Sequence, residues 1–110
     1  MYCFYQPKYS FINSDVSGAE ALIRWYHPSY GFIPPDNFIP LAEKVDLIHS
    51  ITAIVITTVF SFSQQVNNIS FAINLSGKDF ENSFLLNHID KMAELYEVNP
   101  CRIILKLLKA

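Results

Sequence analysis

Ile69-Ser70-Phe71-Ala72-Ile73-Asn74-Leu75, closed by Ser76-Gly77, is the stretch on which the fold turns. It is short, rich in β-branched and aromatic residues and followed by turn chemistry, the pattern of a strand. On both sides the periodicity changes to that of a helix. Upstream, Ile48, Ile51, Val55, Val59 and Phe62 recur at spacings of three and four, an amphipathic-to-buried helix broken by Asn67-Asn68. Downstream, Leu85, Ile89, Met92, Ala93 and Tyr96 share one helical face behind a cap at Asn82 or Ser83, and Asn99-Pro100 ends that helix. Residues 102–105 then read as a final strand. Strands that alternate with helices are joined by crossovers, so an α/β layer with parallel pairing is expected.

Toward the N-terminus the signals are shorter. Residues 2–5 form a β-prone run that Pro7, lacking a ladder donor, is expected to end. Asn13-Ser14-Asp15 and Ser17-Gly18 supply turn chemistry. Residues 19–25 are mostly apolar, with Glu20 and Arg24 as the only charges. Glu-Ala-Leu has helical propensity, while the short length and turn boundary suit a buried strand, and sequence leaves both readings open. His27-Pro28-Ser29-Tyr30-Gly31 is a loop. Pro35 fits the first position of a helix, where a missing N–H costs nothing, with Phe38, Leu41, Ala42 and Val45 as its apolar face. The expected order is β, β, α, α, β, α, β.

The 110 residues are 51% hydrophobic, 15% aromatic and only 16% charged, which excludes a disordered chain. Eight basic and ten acidic residues leave a net charge of −2, and no Lys/Arg run offers a phosphate-binding face to duplex nucleic acid. Cys3 and Cys101 lack CxxC or metal-finger spacing, and a reduced, cytoplasmic interior is the simpler expectation. The start of the chain does not read as a signal peptide. The longest apolar stretch, 47–62, is interrupted by six polar residues and falls short of the ~20 apolar residues of a membrane span. His27, His49 and His88 have no ligand spacing and read as loop or surface residues.

Five ordered motifs then point further. Tyr5-Gln6-Pro7, Glu20-Ala21-Leu22-Ile23-Arg24-Trp25, His27-Pro28 with Gly31-Phe32-Ile33-Pro34-Pro35, Phe38-Ile39-Pro40-Leu41-Ala42-Glu43 and Asn74-Leu75-Ser76 occur in sequence. Together they resemble the first part of an EAL domain, the bacterial phosphodiesterase that linearises cyclic di-GMP to pGpG. The resemblance implies a partial (β/α)8 TIM-like barrel, about the first four strands with their helices, with chemistry at the strand C-terminal ends. It implies Mg²⁺ or Mn²⁺ as cofactor, since hard cations take oxygen ligands, with Glu20 and Asn74 as metal residues. It assigns Arg24 to a ligand phosphate, and Gln6 and Leu22 to the nucleotide pocket. Read without the pattern, Glu20 is a solvated carboxylate, Asn74 a strand-end turn residue, Gln6 turn polarity, Leu22 core and Arg24 a surface partner for an acid.

The chain also departs from the family. Where the family's fourth strand reads approximately Glu-Ile-Thr-Glu-Ser, this chain has Lys106-Leu107-Leu108-Lys109-Ala110. Lys106 stands where the resemblance implies a metal-binding glutamate, and a protonated ammonium offers no lone pair. Lys109 takes the place of a glutamate that supports a catalytic loop. Residues 105–110 can be encoded TTG AAA TTA CTG AAA GCN, and reading two nucleotides later gives Glu-Ile-Thr-Glu-Ser. A single-base shift before Lys106 is therefore expected, with 1–110 a single truncated domain; sequencing the locus checks it. Such a barrel needs about 250 residues to close, so uncovered edges and self-association through them are expected. The expected function is the family's cyclic di-GMP hydrolysis, inactive in this chain alone. The alternatives are a noncatalytic nucleotide-binding or interaction module and a nonfunctional product of a disrupted gene.

Overall fold

The computed structural model of the protein describes residues 2–10, 12, 15–66, 68–80 and 82–107. Connection length decides how its strands pair. Strand β1 (Tyr2–Ser10) returns as β2 (Asp15–His27) across the short link 11–14, which permits only an antiparallel pair. The turn expected at 13–15 lies largely outside the described residues. Short β3 (Gly31–Ile33) folds back on the end of β2, Trp25 opposite Ile33. Helices α1 (Pro35–Lys44) and α2 (Ile48–Ser63) then form a crossover to β4 (Ser70–Leu75), parallel to β2. Helices α3 (Gly77–Phe80) and α4 (Ser83–Tyr96), with a 3-10 turn at Pro100–Arg102, cross over again to β5 (Ile103–Leu107), parallel to β4. The described strands form a five-stranded sheet of order β1-β2-β4-β5, with β3 paired to β2 off that path.

Several sequence expectations change. Parallel pairing holds for β2, β4 and β5 but not for β1, because its link is too short for a crossover. The first strand runs through Pro7, opposite Ala19, since an edge strand tolerates a residue without an N–H. Residues 19–25 are strand: Ala19 and Ala21 are buried beneath the helices, and central pairing on both sides outweighs helical propensity. The expected loop at 27–31 is a tight hairpin, with Gly31 at φ +72° and His27 Nδ1 accepting from Ser29 N at 3.1 Å. Pro35 begins α1 as expected, yet Leu41 and Val45 are exposed and only Phe38 and Ala42 of that set are buried. Asn68 takes the left-handed conformation after α2, and its neighbour Asn67 lies outside the described residues.

Period-two alternation gives the sheet two different faces. Phe71, Ile73 and Leu75 of β4 point to one, where they meet Val55, Ile56, Val59 and Phe60 of α2 and Leu85, Ile89 and Ala93 of α4. Each large side chain fully buried there contributes about 1.5–3 kcal/mol. Tyr5, Phe62 and Phe71 extend this core as an aromatic cluster, with Tyr5 stacked on Phe62 at 4.3 Å. Asn82 caps α4 by accepting from Phe84 N at 2.9 Å, and Arg102 ties the entry of β4 to β5 through Ile69 O and Val66 O. The other sheet face carries Phe4, 54% exposed, and Ile104, 50% exposed. No helix among the described residues is long and apolar enough to cross a membrane, and Cys3 and Cys101 are free thiols.

Candidate functional site

Cross-strand partners share a face, so register alone gathers the polar residues of the open side. Gln6 stands opposite Glu20, Glu20 opposite Ala72, and Asn74 opposite Lys106. Leu22 and Arg24 follow Glu20 at intervals of two and keep to the same face. At the C-terminal ends of β2 and β4 a cleft of about 280 Å³ opens against α1 and α2. Glu20, Leu22, Arg24 and Asn74 line it, with Pro35, Ile39, Ile48 and Thr52 opposite. Gln6 lies on the same face, exposed and outside the cleft.

The polar centre is a three-residue cluster. Asn74 Nδ2 donates to Glu20 Oε2 at 3.1 Å, and Lys106 Nζ donates to Glu20 Oε1 at 3.2 Å. The Asn74 amide is the main reason the Glu20 carboxyl sits below its ordinary range. Partial burial pushes the other way, while Lys106 and the more distant Lys8 pull it down further. A divalent cation here would need free oxygen lone pairs. Both Glu20 oxygens already accept from nitrogen, one of them carrying a positive charge, and among the described residues no three His, Cys, Asp or Glu cluster to hold an ion. As folded, this donor set does not fit Mg²⁺ or Mn²⁺. Lys109 lies outside the described residues. Arg24 keeps its guanidinium 5.8 Å from the Phe4 ring centre and spends one donor on Ile23 O at 3.0 Å. The rest of its fork is suited to an anion.

The inner wall of the cleft holds a second polar group that sequence reading missed. Asp79, 2% exposed, accepts from His49 Nδ1 and Thr52 Oγ1, each at 2.8 Å, and from Ser76 N at 3.1 Å. Ser76 Oγ in turn accepts from Asp79 N at 3.3 Å. This is a reciprocal cap at the start of α3, and the Ser-Gly-Lys-Asp spacing of 76–79 was the signal that could have found it. It binds the turn after Asn74 to α2. His49, read as a surface residue, is thus held by a buried carboxylate, and His88 lies 2.9 Å from Thr57 Oγ1.

The profile of the EAL domain matches residues 1–110. Cyclic di-GMP phosphodiesterase PA2567 of Pseudomonas aeruginosa is 35% identical over 99 residues, covering 86% of this chain and 17% of that protein. Probable cyclic di-GMP phosphodiesterase PdeB of Escherichia coli is 34% identical over 107 residues, covering 94% of this chain and 21% of that protein. The chain therefore spans about a fifth of the length of these curated relatives. Among solved structures, PaMucR phosphodiesterase in complex with c-di-GMP superposes with a TM-score of 0.85 at 31% identity, over 96% of this chain and 45% of that one. The cGMP-bound form of EAL enzyme Bd1971 superposes with a TM-score of 0.86 at 24% identity, over 96% of this chain and 32% of that one. The architecture is thus that of a partial (β/α)8 barrel.

Proposed function

The chain belongs to the EAL domain family, and from that premise we propose that its cleft is the recognition half of a cyclic di-GMP site, without hydrolysis by this chain alone. One observation carries the reading: strand register sets Glu20, Leu22, Arg24 and Asn74 on one sheet face, where they line a cleft at the C-terminal ends of β2 and β4. That is where barrels of this class hold their ligands. Arg24 offers a planar fork to a phosphodiester oxygen, and Phe4 beneath it restrains the guanidinium. Leu22 and the apolar wall of Ile39 and Ile48 exclude water from one side of a bound nucleotide. Gln6, outside the cleft but on its face, meets the ligand at the rim.

The absence of hydrolysis follows from Lys106. Its ammonium engages the carboxylate that the family resemblance assigns to the metal, and that donor set supports no metal-assisted attack by water.

Calorimetric titration of cyclic di-GMP into the purified chain tests the binding reading. Saturable heat is expected, weakened about tenfold or more in Arg24→Ala, as for loss of a charge-assisted hydrogen bond. No heat refutes it. Incubation with Mg²⁺ or Mn²⁺ is expected to give no linear product above a Glu20→Ala control, and turnover above that control refutes the second half.

A further inference from the structure

We propose that the Lys106 ammonium is a resident cation beside Glu20 and Asn74, so that the site takes a phosphodiester anion without a divalent metal. The inference rests on reading Glu20 and Asn74 as the metal-site pair of the family. The geometry is set by the sheet. Lys106 is the register partner of Asn74 on β5, and Asn74 on β4 lies next to β2, so the lysine crosses the top of one strand to reach Glu20. Glu20 is then bonded at both oxygens, by Lys106 Nζ at 3.2 Å and by Asn74 Nδ2 at 3.1 Å.

One ammonium charge offsets one carboxylate charge. A divalent ion could enter only by displacing Lys106 and would then lie beside another positive charge. The exchange also costs Glu20 two satisfied bonds, while the cleft's other carboxylate, Asp79, is already committed to His49, Thr52 and Ser76 N. Anion binding carries no such conflict. The Lys106 side chain is 44% exposed and has three donors, one of which reaches Glu20, leaving others directed to solvent or ligand. Lys106 and Arg24 are both cationic on the open face, and the Glu20 carboxylate is already paired with Lys106, leaving the Arg24 charge for a ligand. The ligand class is a phosphodiester or phosphate monoanion, with the cation for it built into the chain.

Two titrations on the full chain decide this. In the first, Mn²⁺ alone is added and free Mn²⁺ is read by electron paramagnetic resonance. Lys106→Glu is expected to bind Mn²⁺ about tenfold or more tightly than wild type, and to lose that gain when combined with Glu20→Ala. Lys106→Gln, which removes the charge and cannot add a new one, is expected to tighten Mn²⁺ as well. Wild-type Mn²⁺ affinity equal to that of both variants overturns the proposal. In the second titration cyclic di-GMP is added in EDTA and then in Mn²⁺, with affinities expected to agree within about twofold. A tenfold loss in EDTA overturns the proposal. If the dinucleotide binds in neither buffer, the recognition reading falls, and the Mn²⁺ comparison still decides whether Lys106 holds the cation's place.

Discussion

Replacing Asp79 probes the joint between the cleft and the helical layer. The carboxylate is buried and takes three donors on two oxygens: His49 on Oδ1, and Thr52 with Ser76 N on Oδ2. At about 1.5 kcal/mol for each bond to a charged group, three bonds set a ceiling near 4–5 kcal/mol for Asp79→Ala. The His49 bond is partly open to water, with that side chain 33% exposed, which brings the expected loss to about 3–4 kcal/mol. Asp79→Asn behaves differently. Its amide oxygen can stay on the Thr52 and Ser76 side, and its NH₂ can face His49 Nδ1 if the imidazole moves its proton to Nε2. That exchange forfeits only charge assistance, about 1–2 kcal/mol. Urea unfolding followed by the fluorescence of Trp25, packed edge-on against Phe38 at 5.6 Å, reads both variants. With an m value of ~2 kcal/mol/M, Asp79→Ala is expected to lower the midpoint by about 2 M, and Asp79→Asn by less than half of that. An Ala variant within about 1 kcal/mol of wild type would show that the turn after Asn74 does not depend on this carboxylate. Equal losses in the two variants would refute the tautomer argument.

Three further substitutions report on other parts of the fold. The Tyr5 hydroxyl is buried without a hydrogen-bond partner among the described residues, so Tyr5→Phe is expected to stabilise by about 1 kcal/mol at neutral pH in thermal unfolding. Burial, with a smaller contribution from Cys3, pushes that phenol up to about 12. Its folded value exceeds the unfolded value of ~10, so the phenol adds no pH dependence below pH ~10, and stability falls as pH rises from ~10 toward 12 because ionisation is penalised in the folded state. Tyr5→Phe should flatten that alkaline limb, and an unchanged limb counts against the assignment. A Cβ at Gly18 would lie 3.0 Å from the backbone oxygen of Ser70 on the neighbouring strand, so Gly18→Ala is expected to cost about 1–3 kcal/mol by urea titration. Glu97 closes α4 in the left-handed region at φ 55°, and Glu97→Gly is expected to gain about 1 kcal/mol, or ~4 °C in Tm by calorimetry.

Much of the fold was legible in local pattern. The three-and-four spacing of Ile48 to Phe62, the β-rich run before Ser76 and the Asn82 cap each depend on residues close in sequence, and each is found in place. The boundaries that failed are those where pairing overrides local preference. Pro7 did not end β1 because an edge position tolerates it, and the hairpin strand β3 is too short to show alternation. Of the residues assigned to the site, Glu20, Leu22, Arg24 and Asn74 meet at the cleft, whereas Gln6 shares only the face.

By itself the sequence determined the alternation of strands and helices and the ordered motifs that mark an EAL domain, because these are written in local composition, helical spacing and the identity of short stretches. It could not decide between helix and strand for 19–25, since only β1 and β4 on either side fix that choice. Nor could it join Lys106 to Glu20, 86 positions apart, or Asp79 to His49, 30 apart. Those contacts exist because two crossovers set β4 beside β2 and β5 beside β4, and fold α2 over the turn after Asn74. Local propensity sets which residues face which way; only chain closure sets which charges meet.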